Sequence, residues 1–331
     1  MSDHLLEIED LKVSFFTPAG EVKAVNGISY NLDEGRVLGI VGESGSGKSV
    51  SVSALMQLLV FPGRVVGGSI TFDGRDVLAM SEEQIQEVRG KEIGMIFQDP
   101  MTSLNPVFTI GEQLIETLRR HTKMSRSEAA QKSLEMLRLV GINNPEQRMK
   151  QYPHEFSGGM RQRAMIAMTL LCDPKLLIAD EPTTALDVTI QAQILELMKS
   201  LRTKINAAII LITHDLGIVS DICDDVIVMY AGRIVEKGSI DDIFYRPAHP
   251  YTQGLLRCLP RLDSDGTKPL EPIEGTPVDL LALPKGCAFA PRCEKCMKIC
   301  LSEQPPNFLV GEDHCSACWL HALENNEEVN Q

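Results

Sequence analysis

Two rhythms of apolar and polar residues run along this chain. From Leu6 to Phe15 and from Ala24 to Leu32, β-branched and apolar side chains mix with polar ones, and Pro18 and Gly20 punctuate the gap between them, so two short strands joined by a turn are expected. Ile70-Thr71-Phe72 followed by Asp73-Gly74 and Arg75-Asp76-Val77 reads as a hairpin, because Asp-Gly supplies the positive φ of a tight turn. A second regime alternates apolar runs with amphipathic stretches. Val37 to Val41, Leu176 to Ala179, Ala207 to Thr213 and Val226 to Met229 have the continuous apolar character of strands in a mainly parallel sheet covered by helices. Between them, residues 111–150 read as helical, with Leu134, Met136 and Leu137 near an apolar face, and suggest a helical subdomain inserted into an α/β core. After about residue 245 the texture changes. Pro247, Pro250, Pro260, Pro269, Pro272, Pro277 and Pro284 break both rhythms and the cysteines follow, which predicts a separate C-terminal appendage.

Composition narrows the function classes. At 331 residues the chain suits about two domains of roughly 150 residues each. Hydrophobic residues at 44% and charged residues at 23% exclude a disordered or fibrous chain. The formal charge of −13 argues against a sequence-independent nucleic-acid binder, which needs a basic face, and no nucleic-acid partner is expected. No apolar run approaches the roughly 18 residues that span a bilayer. Residues 1–10 carry acids and lack a signal peptide's basic and apolar regions, so a cytosolic chain is expected. Cytosolic thiols stay reduced, and six of the nine cysteines fall between Cys287 and Cys318, which points to a metal site rather than disulfides.

The chemistry lies in two motifs. Gly42-Glu43-Ser44-Gly45-Ser46-Gly47-Lys48-Ser49 fits G-x-x-x-x-G-K-[ST], with an apolar strand before it and a helix-like stretch, Ser49 to Leu59, after it. The glycines let backbone N–H groups wrap phosphates at a helix N-terminus, where the dipole also favours anions. Lys48 is placed to reach the β- and γ-phosphates of a nucleotide, and the Ser49 hydroxyl to ligate Mg²⁺. Leu176-Leu177-Ile178-Ala179-Asp180-Glu181 is the second: an apolar strand delivers Asp180, a Mg²⁺ ligand, to the strand end where α/β sheets bind ligands. Glu181 beside it is the candidate general base for an attacking water.

With these two motifs in place, the chain resembles the ATP-binding cassette family. Phe156-Ser157-Gly158-Gly159-Met160-Arg161-Gln162-Arg163 looks like its signature, with Met160 where the usual motif has Gln. The resemblance implies that Ser157, Gly158 and Gly159 cap the γ-phosphate of ATP held by a partner subunit. It implies that Gln98 senses Mg²⁺ and faces membrane subunits, and that Asp187, in Ala185-Leu186-Asp187, lies on the loop crossing the dimer interface. It makes His214 the switch histidine at the γ-phosphate and Phe15 the aromatic that stacks on adenine. The ATP contacts then include Gly42, Ser44, Gly45, Ser46, Gly47, Lys48 and Ser49. The implied fold is a P-loop core with a mainly parallel sheet, an antiparallel β subdomain and a helical subdomain at about residues 100–165. Together these form a nucleotide-binding domain over 1–255, with a Cys-rich extension over 256–331.

Narrower stretches, Phe97-Gln98-Asp99-Pro100-Met101-Thr102-Ser103-Leu104-Asn105-Pro106 and His249-Pro250-Tyr251-Thr252, are similar to those of bacterial dipeptide, oligopeptide and nickel importers. They imply an ATPase on the cytoplasmic face of the membrane beneath two permease subunits. A second, different ATPase subunit and an extracellular solute-binding protein complete the implied assembly. A nickel importer of the same family and a soluble cassette ATPase of translation or DNA repair are the alternatives. The translation type usually carries two cassettes and the repair type a long coiled coil; neither feature is evident here.

Two readings of the cysteines stay open. Cys293-x₂-Cys296 and Cys315-x₂-Cys318 have the spacing of a Zn²⁺ site. The family resemblance instead implies a [4Fe–4S] cluster on Cys287, Cys293, Cys300 and Cys318, which leaves Cys296 and Cys315 spare.

Overall fold

The computed structural model describes residues 4–97, 103–183, 188–204, 207–259 and 272–322, in two compact units, one comprising the described residues of 4–32, 38–78, 213–259 and 272–322 and the other those of 33–37, 79–97, 103–183, 188–204 and 207–212. In chain order the first unit opens with β1 (Leu6–Thr17) and β2 (Gly20–Leu32), antiparallel and joined at Pro18 and Ala19. The buried residues of β1, Leu6 and Ile8 and then Leu11 and Val13, alternate with exposed ones except where Asp10, at φ 45°, bulges the strand and resets the register. The strand β3 (Val37–Val41) is buried at every position, as a strand covered on both faces must be. The helix Lys48–Leu55, then β4 (Gly63–Phe72) and β5 (Arg75–Asp76) follow. The Asp73-Gly74 turn has φ of 51° and 71°, the positive values of a type I′ hairpin. These strands form a four-stranded antiparallel sheet in the order β2-β1-β4-β5.

The second unit holds the parallel strands β6 (Ile93–Ile96), β7 (Leu176–Asp180) and β8 (Ala208–Thr213). Between β6 and β7 lie the helices Ile110–His121, Arg126–Leu139, Pro145–Arg148 and Gly158–Leu170, the last running past residue 165, where the helical subdomain was expected to end. Thr109 and Ser125 start the first two of these as capping boxes with Glu112 and Glu128, so each helix begins where a side chain satisfies its orphan N–H groups.

The first unit resumes with the helix Leu216–Ile222, β9 (Asp225–Tyr230), β10 (Arg233–Ser239) and the helices Ile240–Tyr245 and Pro250–Arg257. β9 pairs parallel with β3 and antiparallel with β10. The cysteine-rich segment then adds β11 (Phe308–Leu309) and β12 (Cys315–Ser316), and β12 pairs with β10 at Glu236 and Lys237. The extension is therefore laid along a sheet edge of this unit by main-chain hydrogen bonds. Among the described residues no helix is long and apolar enough to cross a membrane.

Candidate active site

In the first unit, residues 42–47 turn from β3 into the helix Lys48–Leu55. Gly42, at φ 149°, is obligatory: a Cβ there would run into the backbone carbonyl of Met229. Gly47 caps the helix in the left-handed conformation at φ 98°, with no side chain on the cap position. Lys48 is 5% exposed. Its ammonium donates to the carbonyls of Gly42 at 2.8 Å and Glu43 at 2.9 Å and to Ser46 Oγ at 3.4 Å. The charge is thus held at the centre of the loop's curve, as phosphate binding requires. Ser44, Gly45 and Ser49 are exposed on this turn, and Ser46 and Gly47 are buried beneath it.

Phe15 and Phe16 separate cleanly. The Phe15 ring packs on Gly63, where a Cβ would come within 2.6 Å of it. Phe16 is 39% exposed and carries the Arg64 guanidinium 4.1 Å above its ring. His214 follows β8 directly and is exposed, and Asp215 behind it caps the next helix by accepting from Gly217 N–H.

The second unit carries the acidic pair and the Ser-Gly-Gly motif. Asp180 closes β7 at 8% exposure. Glu181 has φ 47°, a left-handed conformation that few non-glycine residues adopt, and its N–H donates to the Ile212 carbonyl at 2.9 Å. Strain of this kind persists where surrounding contacts over-determine the backbone. One such contact comes from the helix Gly158–Leu170: Gln162, 1% exposed, donates to the Pro182 carbonyl at 2.7 Å. Ser157 begins that helix, its Oγ accepting from Met160 N–H at 3.3 Å. Gly159 lies against Ile190, where a Cβ would sit 2.8 Å from Cγ2. Gln98 and the segment Ala185-Leu186-Asp187 lie outside the described residues.

None of the nine cysteines is joined in a disulfide. Cys287, Cys293, Cys300 and Cys318 line one small cavity with Phe289, Pro305 and Trp319. Burial, reinforced by the neighbouring cysteines, pushes the thiols of Cys287 and Cys318 up to about 11. Cys293 is raised for the same first reason. Cys296 is exposed, and Cys315 on β12 lines a different cavity, beside Glu236 and Asn307. The quartet implied by the resemblance thus lines one cavity, and Cys287 lines the cavity that holds Cys315 as well. Among the described residues, however, no three His, Cys, Asp or Glu side chains are disposed to hold a single metal ion.

Side chains to which the motif readings gave no role make further buried contacts in this unit. The Glu43 carboxylate pairs with Arg292 at 2.6 Å, and the Glu43 N–H donates to Tyr251 Oη at 2.9 Å. Buried Glu236 accepts from the N–H groups of Ala248 and His249 and from His314 Nε2. A lone acid in a variable position of the loop and an arginine 249 residues away give no periodic signal that would join them.

Comparison with known proteins agrees with this geometry. Residues 25–184 match the family described as ABC transporter, and residues 235–300 match that described as oligopeptide/dipeptide transporter, C-terminal region. The chain is 57% identical over 317 residues to an oligopeptide transport ATP-binding protein of Bacillus subtilis, covering 96% of this chain and 88% of that one. It is 52% identical over 319 residues to a dipeptide transport ATP-binding protein of the same organism, covering 96% of this chain and 95% of that one. Among solved structures, a Clostridium perfringens cassette from the transporter complex cbiONQ superposes with a TM-score of 0.63 and 29% identity, covering 74% of this chain and 92% of that one. The fold is also that of the dimeric cassette MJ0796 bound to ADP and Pi, at a TM-score of 0.64 and 24% identity over 71% of this chain and 98% of that one.

Proposed function

The chain belongs to the ATP-binding subunits of ABC transporters, and from that membership we propose that it hydrolyses ATP to energise import of di- or oligopeptides through a membrane permease. The observation that carries the peptide reading is the match at residues 235–300 to a C-terminal region described for oligopeptide and dipeptide transporters. Neither a soluble factor of translation or repair nor a cassette without this extension accounts for that segment, and nickel import is the alternative within the family.

In this reading the loop from Gly42 to Ser49 and Lys48 cradle the phosphates, and Phe15 stacks on adenine. Ser49, Asp180 and Gln98 would hold Mg²⁺, which would supply charge neutralisation at the phosphates. Glu181 takes the proton of the attacking water and His214 orients the γ-phosphate. Ser157 to Gly159 and Asp187 complete the phosphate cage of a second cassette, so ATP stabilises the closed pair and product charge reopens it. The chain works at the cytoplasmic face beneath two permease subunits, alongside a second ATPase subunit, with peptide delivered by an external binding protein.

The quartet Cys287, Cys293, Cys300 and Cys318 is the ligand set we assign to a [4Fe–4S] cluster. What supports the reading is that the four cysteines line one small cavity, and four thiolates are the donor set such a cluster would take. Ligation would hold these thiols deprotonated against the burial that raises them, and it would staple a small extension.

Reconstitution with permease partners and a second cassette in proteoliposomes tests the transport reading. MgATP-dependent peptide uptake is expected, and Glu181→Gln should abolish it by lowering turnover about 10²–10⁴-fold while nucleotide still binds. Uptake of nickel but not peptide would overturn the substrate assignment. Anaerobic purification followed by iron, sulfide and zinc analysis tests the ligand set: one zinc and no iron in a colourless chain would overturn the cluster.

A further inference from the structure

The phosphate loop is clamped from outside by the cysteine-rich extension. Arg292 ends the short helix Ala290–Arg292, immediately before Cys293, and its side chain is 4% exposed. Its guanidinium makes a two-pronged pair with the Glu43 carboxylate, Nη1 to Oε2 at 2.6 Å and Nη2 to Oε1 at 3.0 Å. The remaining donors are also used. Nε donates to the Glu274 carbonyl at 3.0 Å, Nη2 to the Ile273 carbonyl at 3.2 Å and Nη1 to Tyr230 Oη at 3.5 Å. All five N–H groups of the fork therefore have acceptors, a pattern that the three donors of a lysine cannot reproduce.

The same loop residue is held a second time, from the main chain. The Glu43 N–H donates to Tyr251 Oη, and Tyr251 is fully buried. Tyr251, Tyr230 and Phe289 pack as a triangle of rings with centroids 4.8–5.3 Å apart. Phe289 also lines the cysteine cavity. Ion pair and aromatic triangle together join that cavity to Glu43, all within one compact unit.

We propose that Arg292 is a positioning residue for the phosphate loop: through Glu43 it fixes the loop in its nucleotide-binding curve, so that the folded cysteine module sets the affinity of the chain for ATP. The inference rests on reading this loop as the ATP site. A loop ordered in advance loses less conformational freedom on binding, and the gain appears in affinity rather than in the chemical step. Arg292 touches no reacting atom in this scheme, so Arg292→Ala should leave turnover at saturating nucleotide unaffected.

The experiment uses the purified full-length chain, with MgADP binding and steady-state MgATP hydrolysis as readouts and Trp319 fluorescence to confirm folding. Arg292→Ala should weaken MgADP binding and raise KM by about five- to twentyfold, with kcat within about twofold of wild type. Arg292→Lys should fall between the two, because it keeps the charge and loses the fork. Glu43→Gln breaks the pair from the loop side without touching the extension, and it should weaken binding similarly; the double variant should be no worse than Arg292→Ala alone. Unchanged affinity in folded Arg292→Ala or Glu43→Gln, beside a Lys48→Ala chain that no longer binds MgADP, would overturn the clamp and leave the ATP site standing. Lys48→Ala binding MgADP as wild type does would overturn the loop reading itself, and the clamp with it. A loss confined to kcat would also overturn the proposal.

Discussion

Glu236→Gln is the sharpest available probe of how the extension is fastened to the sheet. Glu236 is fully buried on β10, and its carboxylate accepts three hydrogen bonds. Oε1 takes the Ala248 N–H at 2.7 Å and His314 Nε2 at 2.8 Å, and Oε2 takes the His249 N–H at 2.9 Å. The partners come from the entry to the helix Pro250–Arg257 and from the segment leading into β12. A glutamine of the same shape has only one acceptor oxygen. Its better orientation keeps the oxygen toward the two donors and turns the amide NH₂ onto the His249 N–H, so two donors face each other without water. Leaving one such buried group unpaired costs about 1–3 kcal/mol, and exchanging a carboxylate for an amide weakens the two bonds that remain. The total is about 3 kcal/mol. Trp319 is the only tryptophan and lies in the extension, so its fluorescence during urea unfolding reports this unit. The variant's stability should fall by that amount, and its thermal midpoint by about 2–4 °C per kcal/mol. Glu236→Leu, which strands all three donors, should be worse. A Glu236→Gln chain within about 0.5 kcal/mol of wild type would refute the reasoning, because such a carboxylate could not be fastening the three segments.

Other substitutions probe the loop, the acidic strand end and a capping box. Gly42→Ala should abolish nucleotide binding, measured by titration with MgADP, because its Cβ collides with the Met229 carbonyl and nothing but backbone movement relieves it. Gln162→Leu strands the Pro182 carbonyl but also removes a buried Oε1 that has no hydrogen-bond partner, so the net cost in urea unfolding should be only about 1 kcal/mol. Its steady-state hydrolysis should nevertheless drop, because Pro182 follows the strained Glu181 backbone. Ser239→Ala removes the cap of the helix Ile240–Tyr245 and should cost about 1 kcal/mol near pH 7. Hydrogen bonds from Ser239 hold the Asp242 carboxyl below its usual value of 3.8, so this stabilisation is present above that pH and lost as pH falls through the folded value. The gap between wild type and variant should accordingly narrow as Asp242 protonates, leaving the part due to the Asp242 N–H bond to Ser239 Oγ, and a gap that stays constant through the acid unfolding range would contradict the assignment.

What could be read from the residues was whatever depends on neighbours in sequence. The run Val37 to Val41 announced a strand buried on both faces, and Asp73-Gly74 announced its turn, because pleat and φ preference act within a few residues. Gly42 to Ser49 was legible for a stronger reason: its chemistry requires a glycine that lets the carbonyl of Met229 approach, and no other residue type fits. The bulge at Asp10 was not legible, since a polar residue in a strand reads the same whether it faces solvent or resets the register. The prolines and cysteines after residue 245 suggested an appendage standing apart. Instead β12 pairs with β10, because two residues of edge strand carry too little pattern to be seen.

The same logic explains why the clamp on the loop stayed hidden while the loop did not. A phosphate cradle is built from contiguous backbone, so its spacing is conserved in the sequence by geometry itself. An ion pair between Glu43 and Arg292 demands only two opposite charges, and the chain offers 32 basic and 45 acidic residues to choose among. What selects this pair is the route by which the extension returns, through Tyr251, Phe289 and the cysteine cavity, to the unit that carries the loop. The cost of closing so long an excursion is set by chain entropy, which grows only slowly with length and leaves no local signature. That cost is offset where the segment buries Phe289 and satisfies the Arg292 fork, and both contacts converge on the residue next to the phosphate-binding turn. An extension needed only for its own folding could have satisfied that arginine with its own carbonyls, as it does at Ile273 and Glu274. Spending the two strongest bonds of the fork on Glu43 ties the state of the cysteine module to the shape of the loop.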